Sequence, residues 1–258
     1  MKNIPQNKIA FVASTTPEAM KSIKILQRKY SSVSPSKADV IIALGGDGTI
    51  LETLHRYLKK KVPIYGMNRG HIGFLMNEYS EKNLLERLDR ANPTKLFPLK
   101  IKSYLQNGRT EESLAFNDVS LIRNTRQIAK ISIEVNNIQK IEKLLCDGCL
   151  ISTPAGSSAY NLSLRGPVVP VDAQLLALTP ISPYRPRRWR GALLPNNVKI
   201  TLTAHEEKKR PVRVEADFLE LKNIKKIEVK LDKSQYMNLL FDKGHDLEER
   251  IINEQFLY

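Results

Sequence analysis

The chain has 258 residues, enough for one large domain or two modest ones, and 41% of them are apolar, which is compatible with a buried core. No apolar run approaches the roughly 20 residues of a membrane-spanning helix, and the first residues lack the apolar stretch of a signal peptide. We therefore expect a cytoplasmic protein with no membrane partner. The formal net charge of +14 favours a polyanionic partner. Because the basic residues are scattered and no nucleic-acid motif stands out, we expect a small polyphosphorylated molecule rather than nucleic acid.

The first third of the chain alternates between short apolar runs and helical spacing. Strands are predicted over residues 8–14, 39–44 and 62–66, and helices over residues 17–30, 49–60 and 81–91. The 39–44 run is continuous and rich in β-branched residues, which is typical of a strand buried on both faces. This alternation predicts a parallel α/β sheet, in which ligands bind beyond the carboxyl ends of the strands.

A glycine-rich turn follows the 39–44 strand and precedes a helix. It consists of Gly45, Gly46, Asp47, Gly48 and Thr49. Glycines let the backbone approach a ligand closely, and a helix that begins there offers free N–H groups and the positive end of its dipole. We therefore predict that Gly45, Gly46, Gly48 and Thr49 bind phosphate. Thr49, with Glu52 three residues later, also predicts a capping box.

Asp47 is the unusual member of this turn. A carboxylate repels phosphate unless it acts as a base or holds a cation, so a catalytic role is one interpretation. The alternative is an ordinary turn in which local amides satisfy the carboxylate. The turn is not a Walker A loop, because no Gly-Lys-Ser/Thr follows. A second glycine-rich loop, residues 66–75, follows the third strand and is a candidate for the wall of the same cleft.

Beyond residue 95 the pattern changes to short β-rich runs, with turn signals at Asn107-Gly108 and Asn136-Asn137. The tail, residues 244–258, regains helical spacing. We predict an α/β N-terminal domain with a parallel sheet (residues 1–95), followed by a mostly β C-terminal domain (residues 96–234). The tail (residues 235–258) is expected to pack back on the first domain.

Two further clusters of polar residues lie in the β-rich part. Asn117 and Asp118 interrupt an apolar run, which costs stability unless the pair is hydrogen-bonded. Asparagine can read the edge of an adenine, and a carboxylate can hold ribose hydroxyls. A turn between two strands is the alternative interpretation.

The second cluster, residues 146–163, is dense in small and hydroxyl residues. Ser157 or Ser158 is predicted to cap a helix, which would create another N-terminus for a polar ligand, and Tyr160 could stack on a base. A serine-rich loop is the alternative. Cys146 and Cys149 have the spacing of a redox pair or of half a zinc site, but zinc needs about two more ligands and the four histidines are scattered. We expect no metal site here.

In order and separation these motifs resemble those of the NAD kinases. The matching segments are GGDGT at 45–49, Asn117-Asp118, and Asp147-Gly148 continuing through STPAGSSAY at 152–160 to Ser163. The first motif alone is shared with diacylglycerol and sphingosine kinases, whereas the third is more specific. The resemblance implies transfer of a phosphoryl group from ATP or polyphosphate, with Mg²⁺ or another divalent cation, to the adenosine ribose 2′-hydroxyl of NAD. It also implies a homodimer or homotetramer. A lipid kinase, an idle NAD(P)-binding sensor and a nucleic-acid binder are the alternatives.

The resemblance also assigns roles to residues. Asp47 would accept the proton of the 2′-hydroxyl and Gly48 would lie against NAD. Asn117 and Asp118 would hold the adenosine half, while Asp147 and Ala155 would contact the nicotinamide end. The dinucleotide would be wrapped by Ser158, Ala159, Tyr160, Asn161, Leu162 and Ser163, with Tyr160 against a ring.

This sequence departs from the family pattern at a few positions. Asp118 and Ser158 stand where the family often has Glu and Thr, and each keeps the functional group. Glu215-Ala216-Asp217 only loosely echoes an acidic motif of the family, so Asp217 receives little weight. The basic residues 185–190 are expected to attract the donor near the mouth of the site, or else to form a solvated loop or a subunit contact.

Overall fold

The computed structural model describes residues 8–70, 73–244 and 249, and the chain divides into two compact units. The first unit is Met1–Leu96 with Gln235–Tyr258, and the second is Phe97–Ser234. The strands, in chain order, are β1 (Ile9–Ala13), β2 (Val40–Gly45), β3 (Ile64–Asn68), β4 (Asn92–Leu96), β5 (Leu99–Leu105), β6 (Thr110–Ala115), β7 (Asp118–Arg123), β8 (Ala129–Val135), β9 (Ile138–Cys146), β10 (Gly148–Ser152), β11 (Leu175–Ile181), β12 (Ala192–Pro195), β13 (Ile200–Ala204), β14 (Val212–Ala216), β15 (Leu219–Leu231) and β16 (Met237–Phe241). The α-helices are α1 (Pro17–Lys29), α2 (Asp47–Tyr57), α3 (Leu84–Arg90) and α4 (Tyr160–Ser163).

The first unit is an α/β structure around a sheet with the order β1-β2-β3-β16-β4. The pairs β1–β2, β2–β3 and β3–β16 are parallel, and β4 is antiparallel to β16. Every residue of β2 is buried, as expected for a strand covered on both faces. Helix α1 begins where the sequence predicts, with the Thr16 hydroxyl accepting the Ala19 N–H and Pro17 in the first turn.

The second unit is an antiparallel β structure with the strand order β12-β11-β10-β7-β14-β15-β13-β8-β9, and β5 joins β15 to β6. Its core is formed by the inward-facing residues of these strands, among them Leu121, Ile151 and Val214. The predicted turns are present, because Asn136 and Asn137 both have positive φ between β8 and β9, and Gly108 has φ of +84° between β5 and β6. The predicted fold class is confirmed.

The chain returns to the first unit through β16, which lies between β3 and β4. Asn77 holds this return from inside the unit. Its amide Nδ2 donates to the carbonyls of Gly66 (3.0 Å) and Leu240 (2.9 Å), and its Oδ1 accepts the N–H of Asp242 at 2.8 Å. Asp242 also accepts the Tyr65 hydroxyl at 2.6 Å. A single buried side chain thus joins the loop after β3 to strand β3 itself and to β16 and the residue that follows it.

Several sequence-based boundaries differ from the structure. Helix α3 begins at Leu84 rather than at residue 81, and residues 92–96, expected to end the helix and start the second domain, form the edge strand β4 of the first sheet. Proline at position 93 is tolerated there because an edge strand can lack one ladder donor. The predicted tail helix lies almost entirely outside the described residues. None of the helices within the described ranges has both the length and the apolar character needed to cross a membrane.

We predict that Asn77→Ala lowers the free energy of unfolding by about 2–4 kcal/mol, because it removes three hydrogen bonds and leaves buried backbone groups unpaired. Urea denaturation followed by circular dichroism measures this loss. Asn92→Ala, at an exposed position on β4, is the matched control and should change stability by less than about 0.5 kcal/mol. A loss below about 1 kcal/mol for Asn77→Ala would contradict the role given to this side chain.

Candidate active site

The glycine-rich turn connects β2 directly to α2. Gly46 precedes the helix in an extended conformation (φ −112°, ψ −172°), and Asp47 is the first helical residue. The predicted capping box is wrong: the helix begins two residues earlier than expected, and no side chain within the described ranges caps it. Thr49 instead lies inside the first turn, where its N–H donates to the Gly46 carbonyl at 2.9 Å.

The three glycines of this turn have different physical explanations. A β-carbon on Gly45 would lie 2.1 Å from the Thr49 hydroxyl oxygen, so Gly45 is required by packing and is itself buried. At Gly46 and Gly48, no described atom lies within 4 Å of where a β-carbon would be. Two glycines therefore leave open space at the beginning of a helix without any packing need for it. The predicted phosphate contact fits Gly46 and Gly48 but not the buried Gly45.

Asp47 is held by the second glycine-rich loop. Its two carboxylate oxygens accept the backbone N–H groups of Phe74 and Leu75, each at 2.9 Å. A carboxylate only accepts hydrogen bonds, so this geometry suits the ionised form. The loop is also tied to the turn by the Arg69 N–H, which donates to the Gly45 carbonyl at 2.7 Å. The local-amide alternative thus describes part of the observed geometry, and the amides come from the loop predicted to line the cleft.

Asn117 precedes the first residue of β7 in the second unit. Its carbonyl accepts the Thr153 N–H (2.9 Å) and the Thr153 hydroxyl (3.1 Å). A β-carbon on Gly156 would come within 2.5 Å of the Asn117 backbone, so these two segments approach closely only because position 156 is glycine. The side-chain Oδ1 of Asn117 is buried and has no hydrogen-bond partner among the residues that the structure describes.

Asp118 begins β7 and is surrounded by other carboxylates. Burial, followed by the negative charges of Asp217 and Glu215, raises the pKa of Asp118 to about 7. With its pKa raised this far, Asp118 can carry a proton near neutral pH and so either donate or accept a hydrogen bond.

Asp217 has a larger role in this part of the structure than its sequence motif indicates. Its carboxylate accepts the N–H groups of Phe116 (2.7 Å) and Asn117 (3.0 Å). It lies in the turn between β14 and β15 with φ of +50°, a conformation that Asp and Asn adopt more readily than most residues. The loose acidic motif at 215–217 was the signal, but it did not show that the partners lie about 100 residues earlier in the chain.

Asp147 lies between β9 and β10, where its carboxylate pairs with Arg123 at 2.6 Å. The register of β7 with β10 places Asp118 opposite Ser152, at the other end of the ladder from Arg123. Asp118 and Arg123 are five residues apart on one strand, about 17 Å at the usual rise per residue. The structure thus places the Asn117-Asp118 pair and Asp147 at two separated ends of one strand pair.

The segment after β10 forms a 3₁₀ turn, Ala155–Ser158, followed by the single-turn helix α4. The predicted serine cap is wrong. The Ser157 hydroxyl donates to the Pro154 carbonyl at 2.7 Å and accepts the Val169 N–H at 2.9 Å, so it is used inside the loop. Ala155 and Ser158 are almost fully buried, whereas Tyr160 is 41% exposed.

The side chain of Asn161 is fully buried. Its Nδ2 donates to the carbonyls of Ser157 (3.0 Å) and Pro167 (2.9 Å), and its Oδ1 accepts the Thr179 hydroxyl at 2.6 Å. The Asn161 side chain therefore holds the loop in place, and its role towards NAD stays a prediction. Around it, Ala159 and Leu162 are half-buried and Ser163 is exposed.

The Tyr160 hydroxyl lies close enough to several carboxylates of this unit for their charges to affect its pKa. Burial, followed by the negative charges of Glu215 and Asp118, raises the pKa of the Tyr160 hydroxyl, and Asp147 adds a smaller effect in the same direction. The exposed ring therefore lies within electrostatic reach of both ends of the β7–β10 ladder.

The two cysteines are buried free thiols. Burial raises the pKa of Cys146 to about 12 and that of Cys149 well above its ordinary value, so neither is a thiolate at neutral pH. Within the described residues, no group of three or more His, Cys, Asp and Glu side chains is arranged to hold a metal ion. The geometry gives no support to the redox or zinc interpretation.

The basic residues 185–190 follow β11 and are mostly exposed. The Arg185 carbonyl accepts the N–H of Leu145 at 2.8 Å. This bond holds the start of the basic segment next to Leu145, which precedes Asp147 by two residues. The guanidinium groups of Arg185 and Arg187 lie 5.6 and 5.1 Å from the centre of the Tyr184 ring. Within the second unit, the basic segment therefore begins close to Asp147.

Comparisons with known proteins agree on one family. The family models described as "ATP-NAD kinase N-terminal domain" and "ATP-NAD kinase C-terminal domain" match residues 1–94 and 116–242. A protein named NAD kinase from Caulobacter vibrioides is 47% identical over 249 residues, covering 96% of each chain.

Two solved structures share the fold. Yeast NADH kinase complexed with NADH has a TM-score of 0.83 at 19% identity and covers 97% of this chain and 87% of its own. An NAD kinase from Archaeoglobus fulgidus in complex with ATP has a TM-score of 0.72 at 23% identity, covering 96% of this chain and 98% of its own.

We predict that Gly156→Ala lowers the free energy of unfolding by about 1–3 kcal/mol, because the added methyl group forces the Asn117 backbone away. Differential scanning fluorimetry and urea denaturation measure the effect. Gly46→Ala adds the same methyl group in open space at an ordinary φ and should leave stability within about 0.5 kcal/mol of wild type. Equal effects of the two substitutions would argue against the close approach at Gly156.

Proposed function

This chain belongs to the ATP-NAD kinase family, and on that premise we propose that it transfers a phosphoryl group from ATP to the adenosine ribose 2′-hydroxyl of NAD, giving NADP. The observation that carries the mechanism is the position of Asp47, a carboxylate held in one orientation at a helix start where, among the described residues, none packs where a β-carbon of Gly46 or Gly48 would be. Phosphoryl transfer needs little covalent work from the protein beyond positioning and charge neutralisation.

Asp47 is the proposed proton acceptor. The N–H groups of Phe74 and Leu75 fix the direction of its carboxylate, so no large reorientation is needed when the hydroxyl approaches. In this role Asp47 orients the 2′-hydroxyl and takes its proton as the oxygen attacks the terminal phosphorus.

The donor phosphates are proposed to approach the start of α2 at Gly46 and Gly48. The first N–H groups of a helix have no partner within the helix and carry its positive dipole end. The lack of a β-carbon at both positions lets phosphate oxygens approach the backbone. The Thr49 hydroxyl lies beside Gly45, and we propose that it contacts the same phosphates.

The acceptor NAD is proposed to bind along the β7–β10 ladder. The unpartnered Oδ1 of Asn117 suits the exocyclic amino group of adenine, because leaving it unbonded costs about 1–3 kcal/mol. Asp118 would hold a ribose hydroxyl of the adenosine half. Asp147, at the far end of the ladder, would contact the nicotinamide half, and about 17 Å is comparable to the length of an extended dinucleotide.

The segment after β10 would cover the dinucleotide. Tyr160 offers an exposed ring for stacking, and its neighbours present small surfaces. The proposed lining residues are Ala155, Ser158, Ala159, Leu162 and Ser163, with Asn161 keeping their backbone in place.

A divalent cation such as Mg²⁺ is proposed to arrive as the complex with ATP. Magnesium keeps several waters and is commonly held through substrate phosphates with one or two carboxylates, and the described residues offer no cluster of three ligands for a resident ion. Polyphosphate is the alternative donor. The family resemblance further supports a cytoplasmic homodimer or homotetramer.

We expect Asp47→Asn to lower kcat for NADP formation by about two to four orders of magnitude, because the amide cannot accept the proton. The assay follows NADP production from NAD, ATP and Mg²⁺ by purified wild type and variant, with NAD binding measured separately by calorimetry. Wild-type activity with an active variant would remove Asp47 from its role but leave the kinase. Binding of NAD without turnover in the wild type would favour a sensor.

Gly48→Ala tests the bare helix start independently. Since alanine is favoured over glycine inside a helix, the variant should be as stable as wild type or up to about 1 kcal/mol more stable. We nevertheless expect kcat/KM for ATP to fall at least tenfold (about 1.4 kcal/mol), because the methyl group occupies the space proposed for phosphate. Unchanged kinetics would show that phosphate does not approach Gly48. Met20→Ala, an exposed position on α1, serves as the kinetic control.

A further inference from the structure

Asp217 makes an unusual set of contacts for an exposed hairpin turn. Its carboxylate accepts two successive backbone N–H groups, those of Phe116 and Asn117, and its own N–H donates to the Asp118 carbonyl at 3.3 Å. Asp217, in the β14–β15 turn, thus forms hydrogen bonds with three consecutive residues, 116–118, that lie about 100 positions earlier in the chain. Hydrogen bonds from backbone N–H groups to a charged carboxylate are stronger than neutral ones.

Two of these residues, Phe116 and Asn117, are also held by the segment after β10. Thr153 donates its N–H to the Asn117 carbonyl and its hydroxyl to the Phe116 carbonyl at 2.7 Å, and Gly156 lies against the Asn117 backbone. The backbone at Asn117 is therefore clamped between two segments distant in sequence. In the hydrogen bonds described above, the charged group is the Asp217 carboxylate.

The clamp determines where the Asn117 side chain is presented. Its Oδ1 stays buried without a partner among the described residues, which is unfavourable unless a ligand supplies a donor. An arrangement that leaves one acceptor unused while bonding the surrounding backbone repeatedly is typical of a site preorganised for a ligand.

We propose that Asp217 is a positioning residue for NAD, fixing the Asn117-Asp118 backbone so that the Asn117 amide and the Asp118 carboxyl meet the adenosine half. This inference rests on the proposed function for the identity of the ligand. The contacts that carry it lie entirely within the second unit.

Asp217 also acts on Asp118 through its charge, which gives the role a distinctive signature. The charged and titratable groups around Asp118 are Asp217 and Glu215, on β14 and its turn, and Tyr160 on α4, with Arg213 paired to Glu215 at 2.7 Å. Burial raises the pKa of Asp118, and the two carboxylates raise it further. Loss of the Asp217 charge is therefore expected to lower the pKa of Asp118, whereas loss of a charge remote from Asp118 would leave it unchanged.

The test uses Asp217→Asn in the full chain. Asparagine tolerates positive φ as aspartate does and keeps one acceptor oxygen, so the turn is preserved while the charge and one N–H contact are lost. Glu220→Gln, on the same hairpin and in an exposed ion pair with Lys222 at 3.1 Å, is the matched control. Calorimetry measures NAD affinity, and carbon-13 NMR of the carboxyl groups follows the titration of Asp118.

We expect Asp217→Asn to weaken NAD binding about tenfold and to lower the pH at which Asp118 titrates, with Glu220→Gln unchanged in both. Unchanged affinity, or weakened affinity with an unshifted Asp118 titration, would overturn the proposal. Hydrogen exchange of the wild-type Phe116 and Asn117 amides is a measurement that needs no variant: both should exchange slowly, and fast exchange would also overturn it.

These readouts separate the two proposals. If the wild type does not bind NAD, the proposed function fails. The titration of Asp118 and the amide exchange need no ligand, so they still decide whether Asp217 clamps this backbone.

Discussion

Within the described part of the chain, each unit contains a carboxylate that accepts two successive backbone N–H groups, and each holds candidate functional residues of its own unit in place. Asp47 binds the amides of Phe74 and Leu75, and Asp217 binds those of Phe116 and Asn117. In the first unit the two bonds fix a loop against helix α2, and in the second they fix the segment between β6 and β7 against the β14–β15 turn. In the first unit the carboxylate, that of Asp47, is itself the proposed catalytic group. In the second unit the Asp217 carboxylate is proposed to position Asn117 and Asp118, which contact the ligand. Loops can present a precise site only when such bonds remove their freedom.

The sequence predicted the elements whose pattern is local. Strand β2 and helix α1 were recognisable because a run of β-branched residues and a Thr-Pro start each have one common structural outcome. The turns at Asn107-Gly108 and at Asn136-Asn137 were recognisable for the same reason, since few residues adopt positive φ readily. The motifs that suggested the family were also contiguous or nearly so.

The features that the sequence did not reveal depend on contacts between distant residues. The spacing of Thr49 and Glu52 matches the capping-box pattern, but this match does not determine at which residue the helix begins. It therefore did not reveal that α2 begins at Asp47. Asn161 lies in a segment whose sequence predicts ligand binding. Its side chain, however, forms hydrogen bonds with Ser157, Pro167 and Thr179. Asp217 has its partners about 100 residues away, and no periodicity records such a pairing.

The position of β16 has a consequence for how the chain is made. A ribosome releases β1 to β4 first, then the whole second unit, and only afterwards the strand that lies between β3 and β4. Until then β4 has no neighbour in its sheet and the Asn77 amide lacks its Leu240 and Asp242 partners. The first unit to leave the ribosome is thus the last to be completed. During synthesis it exposes an unpaired strand edge, which natural proteins commonly protect because such edges promote aggregation.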